Sequence, residues 1–215
     1  MTDAPGVRSW LDQASKVVAS VDADAVMAAV RALGEVRDRG STIFVAGNGG
    51  SASTASHFAL DLQKWARTDG RGTRAISLSD SIGLITAWAN DADFDRVFAE
   101  QLATLAAPGD AFVVFSVSGS SLNLLQALEV ARERQLVTVG VLGRDGGRAL
   151  SLVDHAIVVN SDDYGWVESA HLVLEHVEGP SLARLIRRHQ RLSPQQYLPL
   201  AIDIASALHF FRHAD

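Results

Sequence analysis

The chain contains no cysteine in its 215 residues. That excludes disulfides and thiolate metal sites and fits a reducing compartment, so a cytoplasmic location is expected. An excess of basic residues is also missing. Nineteen Lys and Arg stand against 25 Asp and Glu, for a net charge of −6, so neither DNA nor RNA is expected as a partner. No apolar run approaches the roughly 18 residues of a membrane span, and no membrane partner is expected. The first residues lack a basic segment followed by an apolar one, the pattern of a secretory leader. Internal repeats, low-complexity tracts and long linkers are absent as well. What remains is ordinary globular composition, 47% hydrophobic and 20% charged, at a length that suits one domain with a sizeable core.

The apolar pattern then gives an architecture. Between residues 8 and 39, Trp10, Leu11, Val17, Val18, Val21, Val26, Ala29, Val30, Leu33 and Val36 recur at helical spacing, with Asp22 or Asp24 placed to cap a second helix. These helices can cover the chain's own sheet or form a bundle between subunits. After residue 41 the texture changes to short, continuously apolar runs at 42–46, 73–78, 111–116, 137–142 and 155–159. Continuous rather than alternating apolarity marks parallel strands buried on both faces. Helical segments are expected between them at about 52–67, 81–89, 93–106, 121–134 and 145–152, and again from Trp166 to Val177. Strand–helix alternation with short loops predicts an α/β fold with a doubly wound parallel sheet, whose ligands bind at the carboxyl ends of the strands. Gly179 and Pro180 should interrupt the last of these helices. A terminal apolar helix is expected over 193–213. The expected divisions of this single domain are N-terminal helices at 1–40, the α/β body at 41–190 and a helical extension at 191–215.

Two loops stand out. The first, Gly47-Asn48-Gly49-Gly50-Ser51, joins a strand to a helix. Its glycines permit close backbone approach to a ligand, and the helix start offers free N–H groups to an anion. It is neither a dinucleotide fingerprint nor a Walker loop. A tight turn with a capping serine accounts for it equally well. The second loop, Ser116-Val117-Ser118-Gly119-Ser120-Ser121, sets four hydroxyls around one glycine at another helix start. One serine is enough for a cap. The surplus hydroxyls favour a phosphate monoester.

Titratable residues gather on two helical segments. His57 and Asp61 are spaced four apart and project from one helix face. Glu168, His171, Glu175 and His176 lie on the later helix. Glu168 and His176 are separated by about 80° around an ideal helix, so they can flank one groove. Two imidazoles and two carboxylates would suffice for a four-ligand zinc site. A helical His–acid pair is more often only a surface pair. The run Arg184 to His189 reads as a solvated helix face.

Taken together, these residues resemble the SIS (sugar isomerase) phosphosugar-binding family, and within it the isomerases of seven-carbon sugar phosphates. The matching blocks are GNGGSAxxAxHFAxxL at Gly47–Leu62, Ala89-Asn90-Asp91, SxSGxS at Ser116–Ser121, GxDGG at Gly143–Gly147 and ExxHxxxxH at Glu168–His176. The resemblance implies a five-stranded flavodoxin-like sheet and a homotetramer with the N-terminal helices in an intersubunit bundle. It implies aldose–ketose isomerisation of sedoheptulose 7-phosphate through an enediol. Asn48, Gly49, Gly50, Ser51, Asp91, Ser116, Ser118, Ser121 and Glu168 are then expected at the substrate. Asp61 and His176 are expected as the acid–base pair, and His57, Asp61, Glu168 and His176 as ligands of one zinc ion.

The chain departs from that family at points that matter. Asp61 stands where glutamate is usual, Glu168 where glutamine is usual, Val117 for threonine and Ser120 for asparagine. Two alternatives therefore accompany the main expectation. One is an isomerase acting on another phosphosugar. The other is a non-catalytic SIS protein that binds a phosphosugar or a protein partner.

Overall fold

The computed structural model describes residues 5–64 and 72–176. The expected helices beyond Val177, the Gly179-Pro180 break and the 191–215 extension lie outside the described residues. Two helices come first, α1 (Pro5–Ala19) and α2 (Ala23–Asp38). Asp22 supplies the cap between them, its Oδ1 accepting from the Asp24 and Ala25 amides at 2.9 and 3.4 Å. The body then runs β1 (Thr42–Gly47), α3 (Gly50–Lys64), β2 (Arg74–Ser77), α4 (Ile82–Asp91), α5 (Ala99–Leu105), β3 (Ala111–Ser116), α6 (Leu122–Glu133), β4 (Val137–Gly143), β5 (His155–Val159) and α7 (Tyr164–His176).

All five strands pair in parallel in the order β2-β1-β3-β4-β5. This is the flavodoxin-like order, and the doubly wound expectation holds. Every residue of β1 and β3 is buried. Alternate residues serve opposite faces, as a pleated strand requires. Ile43, Val45, Val113 and Phe115 meet Val30 and Leu33 of α2 and Phe58 and Leu62 of α3. Phe44, Phe112 and Val114 meet Leu102 of α5 and Leu124, Leu125 and Leu128 of α6. Edge strand β2 is half-buried, with exposed Arg74 and Ile76 alternating with buried Ala75 and Ser77.

Two expected helices differ. The segment 93–106 divides into a 3-10 turn at Phe94–Arg96 and the short α5. Extended Asp93 starts that turn by accepting from the Asp95 amide at 3.2 Å. The segment 145–152 yields only a 3-10 turn at Arg148–Ser151, because Gly146 and Gly147 both have positive φ. Helix α1 packs on α7 of the same chain, where Trp10 and Trp166 have ring centroids 4.7 Å apart.

Candidate active site at the β1/β3 crevice

The chain order reverses at β1, which has β2 on one side and β3 on the other. Ligands of open parallel sheets bind in the crevice at that reversal. The two loops singled out in the sequence follow β1 and β3, so the fold brings them to the same crevice.

In the first loop, Gly49 takes φ +56°, and α3 begins at Gly50. Ser79 braces the loop from the end of β2. Its hydroxyl donates to the Gly47 carbonyl at 3.0 Å and lies 3.3 Å from the Gly47 amide. Gly47 itself has no room for a side chain, because a Cβ there would meet the Ser51 backbone. Ser51 is buried at the first turn of α3.

In the second loop, Ser116 Oγ accepts from the Gly119 amide at 3.0 Å and Ser118 Oγ from the Ser120 amide at 3.2 Å. Accepting with a lone pair leaves each hydroxyl proton free to be donated. Ser121 is the N-cap of α6, yet its hydroxyl makes no capping bond. Three hydroxyl donors thus stand at or just before a helix N-terminus of positive dipole, a chemistry suited to a phosphate. The loop after β4 supports this one. The Ala149 amide donates to the Gly119 carbonyl at 2.8 Å, and Gly119 lies against the Gly146–Gly147 backbone.

A residue that sequence reading missed joins the two loops. Asn48 and Asn123, 75 positions apart, exchange side-chain hydrogen bonds in both directions at 2.9 Å. Asn123 is 2% exposed, in the first turn of α6. The only local signal was an amide among apolar positions on a buried helix face.

Of the other expected residues, Glu168 comes from α7 and sets its carboxylate against Gly50, the first residue of α3. Asp61 lies on α3 and is buried at 7% exposure. His57 is half-buried and lines an open cavity of about 850 Å³ along α3, with Ser53, Ser56, Gln63, Lys64 and Asp80. That cavity includes none of the loop serines. Asp91 ends α4, exposed, with its carboxylate accepting from the Asn90 side-chain Nδ2 at 2.7 Å. No hydrogen bond joins Asp91 to either loop among the described residues. His176 is the last residue of α7, and its side chain lies outside what the structure describes.

The expected zinc site is overturned. Among the described residues no three His, Asp or Glu side chains come together in a group able to hold a metal ion. The reason is the placement of Glu168. Its carboxylate lies at Gly50, and seven helical residues of about 1.5 Å rise each separate Gly50 from His57, roughly 10 Å along α3. Metal ligation needs all donors within about 2–2.6 Å of one point.

The other histidine of α7 is buried. His171 is 1% exposed, neither ring nitrogen has a hydrogen-bond partner among the described residues, and its ring meets Phe115 edge-on at 6.2 Å. Burial lowers its pKa to about 4, partly opposed by the nearby Leu142 backbone, which does not reach hydrogen-bond geometry. At neutral pH it is an uncharged core residue.

Comparison with known proteins gives the family. A family model described as the SIS domain matches residues 9–143, a span holding both loops and Asp91. The phosphoheptose isomerase of Trichlorobacter lovleyi is 41% identical over 138 residues, covering 64% of this chain and 70% of that one. The phosphoheptose isomerase of Geotalea daltonii is 36% identical over 174 residues, covering 80% of this chain and 91% of that one. The solved structure of a phosphoheptose isomerase from Francisella tularensis matches with a TM-score of 0.79 at 27% identity, over 87% of this chain and 100% of that one.

Proposed function

The chain belongs to the SIS-domain family, and from that premise we propose that it is an aldose–ketose isomerase converting sedoheptulose 7-phosphate to a D-glycero-heptose 7-phosphate. The observation that carries this reading is the meeting of two loops, one glycine- and amide-rich and one hydroxyl-rich, at the carboxyl ends of β1 and β3. In this reading Ser51, Ser116, Ser118 and Ser121 hold the phosphate. Asn48 and Asp91 position the sugar, and the Gly49–Gly50 backbone and Glu168 border it.

The reaction moves protons and leaves the formula unchanged. A base removes the proton from C1 of the ketose while the C2 oxygen gains one, giving the enediol. The C1 hydroxyl then loses its proton as C2 receives one, giving the aldose. Asp61 lies eleven residues beyond Gly50 on α3, roughly 16 Å along the helix, so in this reading the site is shared between chains: Asp61 carries the proton between C1 and C2 of a sugar bordered by a neighbouring chain's loops, and His176 serves the oxygens. Burial of Asp61 keeps bulk water from competing for that proton. The same reading makes the protein cytoplasmic and a homotetramer; apolar side chains exposed on α1 and α7 among the described residues, Trp10 and Leu172 included, support association of chains.

The test is turnover of sedoheptulose 7-phosphate by purified protein beside an Asp61→Asn variant. Turnover that falls at least 100-fold in the variant is expected for a lost general base. Inert wild-type protein that converts a different ketose phosphate would replace the substrate. Binding without conversion of any sugar phosphate would replace the enzyme reading.

A further inference from the structure

Asn123 has no place in the chemistry described so far, yet it is buried beside the crevice and spans its two loops. Its amide cannot turn over. Asn123 Oδ1 accepts from the Leu124 backbone N–H at 2.9 Å, a group that can only donate and that also reaches the Ser121 carbonyl at 3.1 Å. With its oxygen so fixed, Asn123 must present Nδ2 to Asn48 Oδ1, and its Oδ1 must receive Asn48 Nδ2. Both ends of the Asn48 amide are thereby assigned by a residue on a different loop. Among the described residues each end keeps one unused capacity, an N–H on nitrogen and a lone pair on oxygen. Asn48 is only half-buried, so a ligand can reach them.

We propose that Asn123 is a positioning residue for the phosphosugar, holding Asn48 in one orientation so that it offers a fixed donor and a fixed acceptor to the sugar. The role rests on the functional reading above and gives it a specificity element. A paired donor and acceptor matches a hydroxyl or a carbonyl next to a hydroxyl, which is the reacting end of a ketose. An amide free to flip would present the wrong atom half the time. Binding specificity built on buried polar pairs is steep, because a mismatched ligand leaves them unpaired.

The test is a double-mutant cycle with Asn123→Ala, Asn123→Asp and Asn48→Ala, read by kcat/KM and by the inhibition constant of inorganic phosphate. Asn123→Asp keeps the shape and the acceptor for Leu124 but turns an oxygen toward Asn48 Oδ1. Both Asn123 variants are expected to lower kcat/KM for sedoheptulose 7-phosphate at least tenfold. The Asn123→Ala loss should disappear in the Asn48→Ala background, while phosphate inhibition stays within twofold. A loss of equal size in the Asn48→Ala background, or an equal loss of phosphate affinity, would overturn the proposal and leave a scaffold role. NMR of the Asn48 side-chain amide decides the matter even if wild-type protein turns nothing over. Slow proton exchange that becomes fast in Asn123→Ala supports the pairing. Fast exchange in the wild type overturns it. Absent turnover with slow exchange refutes only the isomerase reading.

Discussion

The carboxylate of Glu168 rests against the bare Cα of Gly50, so that an added Cβ would lie 2.9 Å from Cδ. Helix α7 thus meets the start of α3 at a point where any side chain at position 50 would displace the Glu168 carboxylate. The obstacle is the end of a flexible side chain, not backbone.

That distinction yields the first prediction. Gly50→Ala removes a helix glycine, and Gly50 does not have the positive φ that would oppose alanine. The Glu168 carboxylate can rotate away. The variant is expected to melt within a few degrees of wild type and yet lose at least tenfold in kcat/KM, because Glu168 no longer borders the sugar. Thermal melting beside steady-state kinetics checks it. Unchanged kinetics would remove Glu168 from the substrate's surroundings.

His171 gives a pH prediction. The unfolded chain protonates this ring near its ordinary 6.5, the folded chain only near 4. Between those values the unfolded state binds more protons, so stability rises with pH there and is lost as pH falls from 6.5 toward 4. At about 1.4 kcal/mol per pKa unit, the loss approaches 3 kcal/mol. His171→Leu should flatten this part of the profile. It should also be no less stable than wild type at pH 7, since it removes two buried nitrogens without partners. Urea midpoints at pH 7 and pH 4.5 for both proteins measure the difference. Equal slopes would show that the ring is hydrated or paired in solution.

The strands were legible because burial on both faces writes them as unbroken apolar runs, as in β1 and β3. The two loops were legible because glycine and serine clusters between such runs are rare without a reason. The division of 93–106 was not legible. Helical periodicity continues through Phe94, Val97, Phe98 and Leu102, while the side-chain bond of Asp93 to the Asp95 amide starts a separate 3-10 turn. The Asp145-Gly146-Gly147 run did carry a turn signal that the apolar pattern around it outweighed. Of the site, the loop residues were readable locally. Asn123 was not, because its meaning lies in a partner on another loop. The zinc expectation failed for a related reason. Spacing placed His57 with Asp61 and Glu168 with His176, but it said nothing of where along α3 the side chain of Glu168 would land.

The last prediction separates two reasons for a glycine. Gly49 and Gly119 have nearly the same φ, +56° and +59°. A Cβ on Gly49 would find nothing within 4 Å among the described residues, whereas one on Gly119 would run into the Gly146 carbonyl and come 3.0 Å from the Gly147 nitrogen. Gly49→Ala should therefore cost only the left-handed penalty of about 1–2 kcal/mol. Gly49→Asn should cost less, since asparagine tolerates that region. Gly119→Ala adds an overlap with backbone that cannot move without parting the loops after β3 and β4. Its cost should exceed about 3 kcal/mol, combining that penalty with overpacking strain. Denaturant unfolding of the three variants gives the comparison. Gly119→Ala should in addition weaken inhibition by inorganic phosphate, since the serine loop shifts with it. Equal costs for the two alanine variants would mean that the loop after β4 yields freely, and that it does not brace the phosphate loop.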